Sequence, residues 1–146
     1  MEVEIKIDDA YVVPKIVIHT NRITAQITDL VKKLSIDTPE MLVAYQNDEV
    51  FLINPADILN IYTEGQKIFA RLANGTYRLK NRLYELEELF EGTAFLRISN
   101  SEIVNFNNVE SLNMSISGTI SLKLRTGGNS FVSRRYMDKI KKYLGL

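Results

Sequence analysis

From about residue 41 onward the chain is written in short apolar runs cut by turn-forming residues, a pattern that rules out long helices over most of its length. Leu42–Tyr45 and Val50–Ile53 flank Gln46-Asn47-Asp48, and Asp57–Tyr62 and Lys67–Leu72 flank Thr63-Glu64-Gly65-Gln66. Each is a hairpin pattern. Asn74-Gly75 is the strongest such signal, because both positions accept positive φ at little cost, and Thr76–Leu79 returns as the next strand. Further strands are expected at Ala94–Ile98, Ser101–Phe106, Glu110–Ser115, Thr119–Arg125 and Ser130–Val132, with Gly118 and Gly127-Gly128 at turns. Two stretches break the pattern. Leu83, Leu86, Leu89 and Phe90 line one helical face over about 81–91, with Gly92 as a C-cap. A last helix is expected over about 134–144, with Tyr136, Met137, Ile140 and Leu144 inward. The result is a mostly-β domain, α+β overall, with one internal and one C-terminal helix.

The residues ahead of it read differently. Val3, Ile5 and Ile7 alternate with Glu4 and Lys6, a period-two strand pattern, and Lys15–His19 reads as a second short strand after Pro14. Thr20 or Asn21 can cap a helix whose stripe is Ile23, Ile27, Leu30, Val31 and Leu34. Asp37-Thr38-Pro39 is a natural break. The chain is therefore divided into a strand–helix extension, 1–47, and a main domain, 48–146. The extension is open to three roles: dimerisation, reception of a signal, or packing of its helix on its own domain, which is the expectation.

The 146 residues carry 45% apolar and 25% charged side chains, enough for a packed core and too ordered in composition for long disorder. Without cysteine there are no disulfides, zinc-thiolate sites or thiol chemistry. The acidic start MEVEIKIDDAY is unlike a secretion signal, and no apolar run approaches a membrane span, so a soluble cytoplasmic protein without membrane insertion is expected. Net charge is zero, but it is unevenly spread. Residues 1–60 hold ten acids and five bases, whereas residues 119–146 hold seven bases and one acid. Such asymmetry can give a neutral protein one positive surface. Lys139, Lys141 and Lys142 suit a helix C-terminus; Arg134 and Arg135 are not explained that way.

Enzyme chemistry finds little support. His19 is the only histidine and stands in a turn context, without a serine–aspartate arrangement. Glu85, Glu87, Glu88 and Glu91 occupy polar positions of an amphipathic helix and read as a solvated face. No HExxH or EF-hand spacing occurs, and Asn74-Gly75-Thr76 and Gly127-Gly128-Asn129 are turns rather than phosphate loops. No cofactor is expected.

Nucleic-acid contacts, if made, would come from loops, since no helix-turn-helix signature stands out. The hairpin tip at 63–67 offers Gln66 and Lys67. The turn Ser99-Asn100-Ser101 offers hydroxyls and an amide. The junction Ser133-Arg134-Arg135 offers two arginines at a helix start, where the dipole disfavours cations and an external anion would offset the cost. Arginine can pair with guanine or phosphate, asparagine with adenine, and serine commonly with phosphate. The plainer alternatives are a solvated hairpin tip, a turn asparagine, and arginines paired with surface acids.

These same places carry a resemblance. Phe95-Leu96-Arg97-Ile98-Ser99-Asn100-Ser101-Glu102-Ile103-Val104-Asn105 resembles the central motif of the LytTR family, F-x-R-x-H-x-S-x-x-V-N. Asn108–Leu112 resembles the strand that follows it, and Val132-Ser133-Arg134-Arg135-Tyr136 with Ile140, Tyr143 and Leu144 resembles the family's close. Upstream, Asp57-Ile58 and Ile61-Tyr62 resemble its entry strand, and the resemblance spans about residues 48–146. It implies elongated antiparallel sheets and a loop-based reader of successive major grooves on double-stranded DNA, usually at paired repeats. Carried over by position, the contacts are Gln66 or Lys67, then Ser99 and Asn100 beside Ser101, then Arg135, with Arg134 on a phosphate. Ser99 stands where the family often has histidine, and Asn100 where it often has a basic residue. Residues 1–47 are too short for the receiver domain of response regulators, so the chain resembles the stand-alone, response-regulator-like subfamily. That implies transcription control, a homodimer as one arrangement, and a small membrane protein as one partner. The competing expectation is a protein–protein interaction module that regulates another protein without touching DNA.

Overall fold

Two tight turns begin the sheet. Asn47 and Asp48 take φ of 50° and 64°, and Gly65 and Gln66 take 57° and 65°. Positive φ at two consecutive residues matches the right-handed twist of the flanking strands. The first turn joins β1 (Leu42–Gln46) to β2 (Glu49–Ile53), and the second joins β3 (Ile58–Glu64) to β4 (Lys67–Leu72). The hairpin expected at Asn74-Gly75 turns one residue earlier. Leu72 faces Gly75 across the ladder, so Ala73 and Asn74 make the turn and Gly75 opens β5 (Gly75–Leu79). Gly75 has φ 150°, and a Cβ there would lie 3.2 Å from Gln46 Nε2, which donates to the Thr76 carbonyl. The glycine thus serves a close approach rather than the turn itself.

The computed structural model describes residues 1–34 and 39–146. Among them, the remaining elements are α1 (Ala25–Leu34), α2 (Leu83–Leu89), β6 (Phe95–Ser99), β7 (Glu102–Asn105), β8 (Val109–Met114), β9 (Ile120–Leu124), β10 (Asn129–Val132) and α3 (Met137–Leu144). Seven strands form one sheet in the order β2-β1-β5-β4-β3-β7-β6, and three form a second in the order β10-β9-β8. Every pairing between neighbouring strands is antiparallel. β1 is part of the large sheet although it precedes residue 48.

The large sheet is covered on both faces at its centre, which explains its residues. Alternation sends Ile58 and Leu59 of β3 to opposite sides, and a register shift between Ile58 and Asn60 brings Ile61, three residues on, back to the side of Ile58. Ile58 and Ile61 join a core with Ala44, Ala70, Leu79 and Ile103, roofed by Leu86 of α2 and by Phe90. Leu59 joins a second core with Ile98 and Val104, which packs against Ile120, Leu122 and Leu124 of the small sheet and Ile140 of α3. Phe90 stacks on Phe95 with ring centroids 4.2 Å apart, closing the first core at the end of α2.

Polar groups tie the layers. Buried Asn105 donates to the Ile58 carbonyl at 3.0 Å and accepts from the Asn107 amide at 3.1 Å. Arg71 Nε donates to Asn60 Oδ1 at 3.0 Å, Asn60 Nδ2 donates to Glu102 Oε2 at 2.9 Å, and the Ser130 hydroxyl donates to the same carboxylate oxygen. Gly128, at φ 90°, lets the Arg71 guanidinium lie against the β9–β10 turn, where a Cβ would come within 2.8 Å of Nη1. This chain of bonds joins the large sheet to the small one.

Residues 1–34 depart from expectation. Val3–Ile7 and Lys15–His19 form no strand; α1 forms, but Thr24 rather than Thr20 or Asn21 caps it, its hydroxyl accepting from the Ile27 amide at 3.3 Å. None of the residues of α1 is buried: Ile27 and Leu30 of its stripe are half-buried, and Ile23 just ahead of it is 82% exposed. A period-two pattern makes a strand only where a neighbouring ladder satisfies its amides and carbonyls, and among the described residues no strand pairs with these. Of the break expected at Asp37-Thr38-Pro39, Asp37 and Thr38 lie outside the described residues. The four glutamates near α2 are not simply a solvated face. Glu85 accepts from the Arg82 amide at 3.1 Å, and Glu87 pairs with Arg97 at 3.3 Å.

Candidate nucleic-acid interface

The three loops singled out in the sequence meet at one edge. Tyr62 of β3 pairs with Glu102 of β7, so the β3–β4 turn and the β6–β7 turn leave the sheet on the same side. The Thr63 amide then donates to the Ser101 carbonyl at 2.9 Å, which fixes the two turns against each other. β6 is the last strand of the sheet, and beside it the Ser133 amide donates to the Ile98 carbonyl at 2.8 Å. That bond anchors a short 3-10 turn, Arg134–Tyr136, before α3 begins. From this turn the Tyr136 hydroxyl donates to Asn100 Oδ1 at 3.2 Å.

Each sequence-predicted residue can therefore be located. Gln66 and Lys67 are exposed at the hairpin tip. Ser99 is half-buried at the end of β6; its hydroxyl accepts from the Ser101 amide at 3.2 Å and lies 3.3 Å from the Ser101 hydroxyl. A bulge between Arg97 and Ser99 turns this end of the strand. Asn100 and Ser101 are exposed, as are Arg134 and Arg135. The expected alternative of arginines paired with surface acids is not found: among the described residues the ion pairs are Arg97–Glu87 and Lys123–Glu110. Arg134 and Arg135 thus stand on a helix entry without a carboxylate, next to the Asn100 turn.

Two supporting residues escaped the sequence reading. Arg97 holds the β6–β7 turn from behind, donating from Nε to the Ser99 carbonyl at 3.1 Å and from Nη2 to the Asn100 carbonyl at 2.7 Å. Its side chain is only 18% exposed, so these charge-assisted bonds shape the loop rather than reach outward. Tyr136 was expected only to face inward, and its ring is half-buried, but its hydroxyl orients Asn100. The arginine's place in the motif was visible; the tyrosine's bond spans 36 positions and leaves no local signal.

Comparison with known proteins agrees with this architecture. Residues 48–145 match the model of the LytTr DNA-binding domain. The chain belongs to the LytTR family. Among curated relatives, an uncharacterized HTH-type transcriptional regulator of Staphylococcus aureus strain MSSA476 is 34% identical over 133 residues, covering 91% of this chain and 86% of the relative. Another, from strain NCTC 8325, is 32% identical over 130 residues, covering 88% of each. These matches reach well ahead of residue 48, so part of the extension is shared with them. A solved LytTr DNA-binding domain from Bacillus cereus has the same fold, with a TM-score of 0.70 at 22% identity over 74% of this chain and 99% of its own. The relatives' names mention a helix-turn-helix, but in this LytTR chain α2 and α3 are separated by five strands. Among the described residues no three His, Cys, Asp or Glu side chains gather as a metal site, and no helix is long and apolar enough to cross a membrane.

Proposed function

We propose that this LytTR chain is a sequence-specific transcription regulator that reads double-stranded DNA with loops. Ser99, Asn100 and Ser101 enter one major groove, Arg134 and Arg135 a neighbouring stretch of the same face, and Gln66 and Lys67 flank them. Arg135 pairs with a guanine edge, Arg134 with phosphate, and Asn100 with a base edge. The observation that carries the reading is the convergence of three turns, distant in sequence, on one edge with two arginines that pair with no carboxylate among the described residues. The family match and the regulators among its relatives support it further.

Selection of bound fragments from a random duplex pool tests the proposal and yields the operator. Arg135→Ala should then weaken binding to that operator by about 1–3 kcal/mol in a folded protein. Asn100→Ala should relax base preference at one position. A folded Arg135→Ala protein with full affinity, or an unchanged selection profile for Asn100→Ala, would refute these assignments.

Residues 1–47 take a separate part in this reading. The exposed stripe of α1 supports association outside the reading edge, with a second copy bound at a paired repeat or with a small membrane protein. The same exposed stripe favours the competing reading, a protein-binding module without DNA contact. The two separate by salt: duplex binding weakens steeply as salt rises, because released counterions drive it.

A further inference from the structure

Between residues 61 and 118 the chain has six lysines and arginines, and five of them line one cleft of about 670 Å³ at the end of the large sheet. They are Lys67, Arg78, Lys80, Arg82 and Arg97, and no acidic residue lines it. Arg97 is taken up by Glu87 and the β6–β7 turn. The other four are exposed and have no carboxylate partner among the described residues. Lys80 Nζ rests 4.5 Å from the centroid of the Tyr45 ring, which holds the cation without neutralising it.

The sheet concentrates these charges. Side chains alternate along a strand, and Arg78 of β5 and Lys80 just past its end are both exposed beside buried Tyr77 and Leu79. The β4–β5 register ends at the pair Ile68–Leu79, with Lys67 and Lys80 the next residues on the two chains, so both cations leave the same end of the hairpin; across the β3–β4 turn Lys67 faces Glu64. Like charges gathered at one place repel one another. A polyanion lying across the row would remove that cost, and a cleft open to solvent and walled by flexible cations suits an extended chain of phosphates.

We infer that Lys67, Arg78, Lys80 and Arg82 form a track for the phosphodiester backbone of the duplex whose bases meet Asn100 and Arg135. This rests on the proposed function, and continuity supports it: Gln66 at the reading hairpin and Arg97 beneath the reading turn both line the cleft. The track adds affinity and register but reads no sequence.

The test uses the full chain and a triple variant, Arg78→Gln with Lys80→Gln and Arg82→Gln. Each is titrated with the selected duplex and with a scrambled duplex over a range of salt. Circular dichroism first establishes that the variant is folded; if it is not, the single variants Arg78→Gln and Lys80→Gln take its place. The expected result is an equal fold-loss of affinity for both duplexes. The slope of log K against log salt should flatten by about 1 per side chain removed, with base preference unchanged. Wild-type slopes in the folded variant would overturn the track alone. Loss confined to the selected duplex would also overturn it, because the cations would then be reading bases. Wild-type protein that binds neither duplex would overturn the DNA reading and the track with it. Inorganic pyrophosphate binding that the variant abolishes, with duplex slopes intact, would reassign the cleft to a small anion.

Discussion

α1 and α2 are both amphipathic, yet they are held in different ways. α2 buries Leu83 and Leu86 against the large sheet, ends beside Phe90, and is further tied by Glu87 to Arg97. α1 buries no residue, and none of its stripe belongs to either core among the described residues. A short helix owes most of its stability to tertiary packing of its apolar face. α2 is therefore part of the cooperative domain, and α1 depends on its own capping and on whatever covers it. The same contrast separates residues 42–144, with two continuous cores, from residues 1–34, which contribute to neither.

The largest expected effect sharpens that contrast directly. Leu86→Ala should cost about 2–5 kcal/mol in chemical denaturation, because Leu86 is fully buried and the sheet beneath cannot collapse into the space. Val31→Ala in α1 should change stability by no more than about 0.5 kcal/mol, since Val31 is 45% exposed. Equal costs would mean that α1 is packed as firmly as α2, and the contrast would fail.

A smaller effect is expected where the two sheets meet. Glu102→Ala should destabilise by roughly 1–3 kcal/mol, because it leaves Asn60 Nδ2 and the Ser130 hydroxyl without their acceptor. It should also weaken duplex binding, since Glu102 follows the Ser99–Ser101 turn and its bonds fix the start of β7. A variant with unchanged denaturation midpoint and slope would show that the two sheets do not rely on this carboxylate.

Most of the main domain was legible in the sequence because its signals are local. Gly65-Gln66 marks a turn, Leu83, Leu86 and Phe90 mark a helical face, and the turn residues on either side mark β4 and β5. What was illegible depended on partners. Val3–Ile7 has the alternation of a strand but no ladder to join, so it forms none. Asn74-Gly75 has the right residues, but the register Leu72–Gly75 moves the turn one position back. For the candidate site, the loops were legible and their mutual bonds were not. Asn100 announces a turn; that its amide is oriented by Tyr136 depends on how β6 and the β10 end lie together. The cations of the cleft are spread from Lys67 to Arg97, and only the β4–β5 hairpin and the β6 edge bring them to one place.

Tyr136→Phe should come next in size. The hydroxyl occupies Asn100 Oδ1, which leaves Nδ2 free to donate to a base acceptor. Its loss should cost about 0.5–1.5 kcal/mol of binding to the selected duplex, the usual net worth of one hydrogen bond, with little change in stability. Combined with Asn100→Ala the effects should not add, because both act through one amide. Full additivity in a double-mutant cycle would separate the tyrosine from the reading turn.

The smallest effect on the domain itself should come from the largest deletion. A chain beginning at Pro39 loses the whole of α1 but no member of either core. Its unfolding free energy at low protein concentration should stay within about 0.5 kcal/mol of the full chain's. Concentration is then the variable that tells how α1 is used. If its stripe pairs with a second copy, the melting temperature of the full chain rises with protein concentration by mass action, and that of the shortened chain does not. A shortened chain that is markedly less stable even when dilute would mean that residues 1–34 pack on the domain, and α1 would then resemble α2 after all.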